Sequence, residues 1–146
     1  MATVTYLKAR QILDSRGTPT VEADMRLDNG NICRASVPSG ASTGSYESVE
    51  LRDKDKNKFN GKGVLKAIEN INSIISKEIK NKEFQTINEF DSFLINLDGT
   101  DNKSKIGANA ILACSMAFMK CSASNMNKEI YEFLNPDGPY LLPTPL

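Results

Sequence analysis

Between Thr20 and Leu27 apolar and polar side chains alternate without a break: Val21, Ala23, Met25 and Leu27 fall on one face, Thr20, Glu22, Asp24 and Arg26 on the other. A period of two marks a strand with one face in a core. Val4 to Leu13 mixes β-branched, aromatic and aliphatic residues and stops at the turn-forming cluster Asp14-Ser15-Arg16-Gly17, which predicts an earlier strand. Asp28-Asn29-Gly30-Asn31 supplies an Asn-Gly pair suited to a tight hairpin, and Ile32 to Val37 returns as a third strand. The chain therefore begins with a predicted three-stranded antiparallel meander.

From Val64 the period lengthens: Val64, Ile68, Ile71, Ile75 and Ile79 lie along one stripe of a helix ending near Lys80. Thr86-Ile87-Asn88-Glu89 has the form of a capping box, and Ile87, Phe90, Leu94 and Leu97 continue as a second apolar stripe until Asp98-Gly99 ends it. A third helix, from about Gly107 to Ser122, is apolar nearly all round and should be the most buried. Asn127 is a candidate cap for a fourth, short helix through Leu134, stopped by Asn135-Pro136, and Tyr46 to Asp53 has room for a short helical piece. Pro139 to Leu146 is apolar but carries three prolines, which predicts an extended segment lying against something. Strands first and helices afterwards predict an α+β domain, a three-stranded antiparallel meander followed by about four helices.

Composition narrows what such a domain can do. The 146 residues suffice for one core, and 18 Lys+Arg against 18 Asp+Glu leave no net charge, which disfavours nucleic acid or an anionic membrane as partner. There is no histidine, so the commonest general base, Ser-His and Cys-His nucleophile pairs and His-containing metal sites are all excluded. Cys33, Cys114 and Cys121 are odd in number and lack C-x-x-C spacing; reduced thiols and a cytoplasmic location are expected, with Cys114 and Cys121 as buried small hydrophobes on one helix face. No signal-peptide pattern and no membrane span is predicted.

The stretch Ser39-Gly40-Ala41-Ser42-Thr43-Gly44-Ser45 is the strongest candidate for chemistry. Small residues let backbone N–H groups and hydroxyls approach an anion or a hard metal closely. The same composition also suits a plain flexible connector, and no Walker A pattern is present. Asp98-Gly99-Thr100-Asp101-Asn102 lacks the sixth-position Gly and distal Glu of a calcium loop and reads as a turn between helices. Glu47 and Glu50, three apart, would share a helical face but lack a third ligand.

Several runs taken together resemble one family. Ala9-Arg10-Gln11-Ile12-Leu13-Asp14-Ser15-Arg16-Gly17-Thr18-Pro19-Thr20-Val21-Glu22, Arg34-Ala35-Ser36-Val37-Pro38-Ser39-Gly40-Ala41-Ser42-Thr43-Gly44, Glu50-Leu51-Arg52-Asp53, Gly61-Lys62-Gly63-Val64, Leu97-Asp98-Gly99-Thr100 and Asn102-Lys103-Ser104-Lys105-Ile106-Gly107-Ala108-Asn109-Ala110-Ile111-Leu112 are similar, in order and spacing, to the amino-terminal domain of enolases. The resemblance implies reversible removal of water from 2-phosphoglycerate to give phosphoenolpyruvate, with Mg²⁺, in a cytoplasmic homodimer. It places the lysine base, the glutamate acid and the carboxylate ligands of the first metal in a C-terminal barrel, and none of those motifs has a match here. An eight-unit barrel takes about 200 residues or more, longer than the whole chain. Residues 1–138 are thus expected to form the α+β domain and 139–146 an extended segment leading toward an absent (β/α)8-type barrel.

What the resemblance carries onto this chain is Ser42 as a ligand of the second, substrate-associated magnesium, and Ser39, Gly40, Ala41, Ser42 and Thr43 as a lid over substrate. Arg10 and Glu22 match positions that form salt bridges across the family's dimer interface; without the resemblance they read as ordinary surface charge. No catalytic residue is assigned, and the isolated chain is expected to be inactive. The other reading is a naturally short, non-catalytic interaction module associating with a full-length enolase or another partner. Thr18, where the family usually has Asn, and Ala113, where it usually has Gly, depart from the pattern.

Overall fold

The strands β1 (Ala2–Leu13), β2 (Pro19–Leu27) and β3 (Cys33–Ser36) run antiparallel in chain order, and β4 (Glu83–Phe84) joins the far side of β1, giving the order β3-β2-β1-β4. The computed structural model describes residues 2–28, 30–39, 44 and 46–144. The meander is as the alternation predicts; the two-residue fourth strand, paired with Ala2 and Thr3, is too short to show a period. The link from β2 to β3 spans residues 28–32 rather than a two-residue turn. Asn29 lies outside the described residues, and Gly30 answers a different need from the expected turn, because a Cβ there would sit 2.2 Å from Asn125 Oδ1.

Val21, Ala23, Met25 and Leu27 are fully buried, as the alternation requires. The opposite face of β2 is less open than its polarity suggests, since Thr20 and Asp24 are buried too. Register explains this: Arg10 on β1 stands opposite Glu22, and Arg34 on β3 stands opposite Asp24, so the flanking strands roof the carboxylates with guanidinium groups.

The predicted first long helix is a rod of three consecutive pieces, α1 (Leu65–Glu69), a π-helical turn (Asn70–Ile75) and α2 (Ser76–Ile79). Its stripe of Val64, Ile71, Ile75 and Ile79 is buried. The wider turn coincides with an insertion into the sheet edge: the Asn72 carboxamide accepts from the Ala9 N–H at 2.8 Å and donates to the Ala9 C=O at 3.1 Å. Helix α3 (Ile87–Asp98) is capped by Thr86, whose Oγ1 accepts from the Glu89 N–H at 3.1 Å, while the Glu89 carboxylate reaches back one residue further than the expected box, to the Gln85 N–H at 2.7 Å. Gly99, left-handed at φ 70°, closes the helix.

Helix α4 (Ala108–Asn125) is the central one, with Ala110, Ala113, Cys114, Ala117 and Cys121 fully buried against β2 and β3. Phe90 of α3 stacks on Phe118 of α4 with ring centres 4.2 Å apart, and Phe84 of β4 meets Phe90 edge-on at 4.9 Å. Helix α5 (Ile130–Leu134) is capped not by Asn127 but by Glu129, whose N–H donates to the Glu132 carboxylate at 2.9 Å. Asn127 instead takes a left-handed φ of 52° and donates its N–H to Ser124 O, so it turns the chain out of α4. The stretch 139–144 carries no helix or strand, and Leu141 and Leu142 are 86% and 96% exposed.

Candidate functional site

The two described flanks of the small-residue loop are both held. Asp14 in the β1–β2 turn accepts through Oδ1 from the N–H groups of Arg16 and Thr18, both at 2.8 Å, and through Oδ2 from the Ser39 hydroxyl at 3.2 Å. Arg16 then donates to the Ser39 carbonyl at 2.8 Å. These backbone donors, Thr18 first, hold the Asp14 carboxyl below its ordinary range. On the other side the Gly44 carbonyl accepts from the Glu47 N–H at 3.2 Å. Gly40, Ala41, Ser42 and Thr43, the rest of the expected lid, and Ser45 lie outside the described residues.

Between these flanks opens a cleft of about 720 Å³, bordered by Ser39, Gly44, Glu47 and Glu50 and floored by Asn109 and Leu112 of α4. Its wall, expected to hold a helical piece from Tyr46 to Asp53, has no helix: residues 46–47 make a turn and a bend, and 48–53 carry no helix or strand. The Val49 N–H donates to Asn102 O at 2.8 Å, the Val49 C=O accepts from the Ala108 N–H at 2.8 Å, and the Asn109 side chain takes both backbone groups of Leu51. With its peptide groups satisfied from outside, the segment has no need of helical bonds. Glu47 and Glu50 accordingly share no helical face.

Arg52 fixes the back of the wall. It donates to Pro19 O, Lys62 O and the Glu50 carboxylate, each at 2.6 Å. Asp53 beside it accepts from the N–H groups of Leu65 and Lys66, both at 2.9 Å, and so caps α1 from a distance in sequence. Gly107 admits the wall against α4: its φ is +103°, and a Cβ there would lie 2.7 Å from that of Leu51. The Asp98 run is a helix-to-helix turn as expected, with the buried Asp98 carboxylate accepting from Thr100 and, at 2.6 Å, from the Ile106 N–H.

Arg52, Asp53 and Asn109 were not among the expected site residues. Asn109 had a signal, an amide in the first turn of an otherwise apolar helix. Arg52 and Asp53 had only their place in a motif.

Among the described residues no three Asp, Glu, Cys or His side chains converge on a point. Glu50 is engaged by Arg52, and the Ser39 hydroxyl by Asp14. The described donor set therefore does not by itself fit Mg²⁺, which is held by carboxylates and phosphate in near-octahedral geometry.

On the polar sheet face Arg10 and Glu22 bond to each other at 2.6 Å, and Arg10 also bonds to Asp24. Arg34 bonds to Asp24 at 2.7 Å. Arg34 first and Arg10 next pull the Asp24 carboxyl down to about 2 against the opposing effect of burial. The Arg10 side chain remains 39% exposed, so its outer edge faces solvent.

A four-stranded antiparallel sheet packed under a buried helix defines an α+β domain. Residues 4–134 match the family model described as "Enolase, N-terminal domain". Over 139 residues the chain is 54% identical to Enolase 1 of Chlorobaculum tepidum, covering 95% of this chain and 33% of that protein. The chain belongs to the enolase family and corresponds to its N-terminal domain; it spans about a third of the length of this curated relative.

Proposed function

We propose that this chain is the capping part of an enzyme that reversibly dehydrates 2-phosphoglycerate to phosphoenolpyruvate, and that the base, the acid and most metal ligands are supplied by a barrel following it. In this reading residues 1–138 are the cap and 139–146 the crossing segment. Ser39 to Thr43 close over substrate, Ser42 lends an oxygen to a magnesium ion held mainly by groups outside this chain, and Arg10 and Glu22 face the second subunit of a cytoplasmic homodimer. Closure would exclude water from the reacting carboxylate and phosphate.

The observation that carries the reading is the cleft. Both described ends of the small-residue loop are tied to its rim, and the floor beyond it, including Ile95 at 44% and Leu112 at 41% exposure, is apolar and uncovered. An apolar floor beside a serine-bearing loop is suited to being closed by a larger body.

The test is phosphoenolpyruvate formation from 2-phosphoglycerate with Mg²⁺. The chain alone should form none, and mixing it with a separately produced enolase barrel should restore activity that Ser42→Ala then lowers. Phosphoenolpyruvate formed by the purified chain alone would overturn the reading.

A further inference from the structure

Two of the three cysteines converge on one backbone carbonyl where β3 begins. Cys33 is the cross-strand partner of Met25, on the sheet face that carries α4. Cys121 of α4 places its Sγ 3.1 Å from the Met25 carbonyl oxygen. Both sulfurs also approach the carbonyl oxygen of Asn31, Cys33 at 3.9 Å and Cys121 at 4.0 Å. Cys121 is fully buried, whereas Cys33, first residue of an edge strand, is half-buried and reachable from solvent. Cys114, one helical face-repeat earlier on α4, is also fully buried.

From this juxtaposition we infer that Cys33 and Cys121 are an oxidisable dithiol, a modification site at which low-molecular-weight disulfides close a covalent tie between β3 and α4. The Cys33 thiolate attacks one sulfur of the small disulfide, whose S–S bond breaks and releases one thiolate, leaving a mixed disulfide on Cys33. Cys121 gives up its proton to solvent and attacks Cys33 Sγ; the mixed disulfide breaks and the second small thiol leaves. The two cysteines lose two electrons and two protons, and one small disulfide becomes two thiols. Access sets the order of events. Burial also pushes the Cys121 thiol up to about 12, so it acts second, as the resolving group.

Oxidised glutathione is the probe, applied to the 146-residue chain and followed by intact mass and a non-reducing tryptic map. The three cysteines fall in separate tryptic peptides, Leu27–Arg34, Ile106–Lys120 and Cys121–Lys128. The expected result is loss of two hydrogens, with Leu27–Arg34 joined to Cys121–Lys128. Cys121→Ser should stop at one glutathione on Cys33, Cys33→Ser should stay unmodified, and Cys114→Ser should close as the parent does. A variant that failed to fold would expose every remaining thiol and gain a glutathione on each, so it is recognised by mass. A glutathione that stays on Cys33 of the parent chain, a parent chain that does not react, or a bridge to Cys114 would each overturn the inference.

Discussion

Asn109 holds Leu51 by both of its backbone groups: Oδ1 accepts the Leu51 N–H at 3.1 Å and Nδ2 donates to the Leu51 C=O at 3.0 Å. One side chain at the start of α4 thereby does for the cleft wall what a neighbouring strand would do. Replacing it by alanine leaves two half-buried backbone groups without partners, each costing about 1–3 kcal/mol. Asn109→Ala should lower the urea midpoint and make the segment from Tyr46 to Asp53 the first site of proteolysis. An unchanged cleavage pattern would show that the wall stands without the amide.

The Arg10, Asp24 and Arg34 cluster should appear as a pH dependence. The Asp24 carboxyl lies at about 2 in the folded chain against an ordinary aspartate value of 3.8, so its stabilising contribution is present above the unfolded value and is lost as pH falls through the folded one. The side chain is only 8% exposed, and the shift corresponds to about 2 kcal/mol. Asp24→Asn should therefore be destabilised at neutral pH, and its difference from the parent should shrink between pH 4 and pH 2. Unfolding titrations of the two proteins across that window give the comparison; a constant difference would rule the mechanism out.

Phe90 is fully buried, stacked on Phe118 and met edge-on by Phe84. Phe90→Ala should cost about 3–5 kcal/mol through lost burial and the cavity left behind. Because Phe84 belongs to β4, amide exchange at Val4, whose N–H donates to Lys82 O at 3.0 Å beside that strand, should speed up along with that of α3. Loss confined to α3 would separate β4 from this cluster.

The uncovered floor beside the cleft predicts association of the isolated chain with itself. Leu112 is 41% exposed, so Leu112→Asp should change stability by no more than about 0.5 kcal/mol. It should also reduce any concentration-dependent rise in sedimentation coefficient. Sedimentation velocity over a range of concentrations measures both proteins; a parent chain that stays monomeric throughout removes the prediction.

The strands and helices were readable wherever periodicity lasted. Val21 to Leu27 and the stripe from Val64 to Ile79 announce their elements because one face meets a core at every turn. The segment from Tyr46 to Asp53 did not, since its non-helical path is held by Asn102, Ala108 and Asn109, more than fifty residues away. Asn127 and Glu129 show the same limit at short range. Asn is the better capping residue by type, but the chain needs a left-handed turn at Asn127 before α5 can begin, and that requirement moves the cap. The loop from Ser39 was visible by composition, whereas its anchoring by Asp14 and Arg16 depends on the fold of the β1–β2 turn.

Asn72 has one more effect. A sheet of this kind invites foreign strands along any unpaired border, the usual beginning of aggregation. The twelve residues of β1 meet β4 over only Ala2 and Thr3, which would leave a long border free. The carboxamide seated on Ala9 occupies the N–H and C=O an incoming strand would need, and the rod that delivers it blocks the approach. The border left at the other side is β3, four residues long, so the sheet gives an intruding chain little to zip onto.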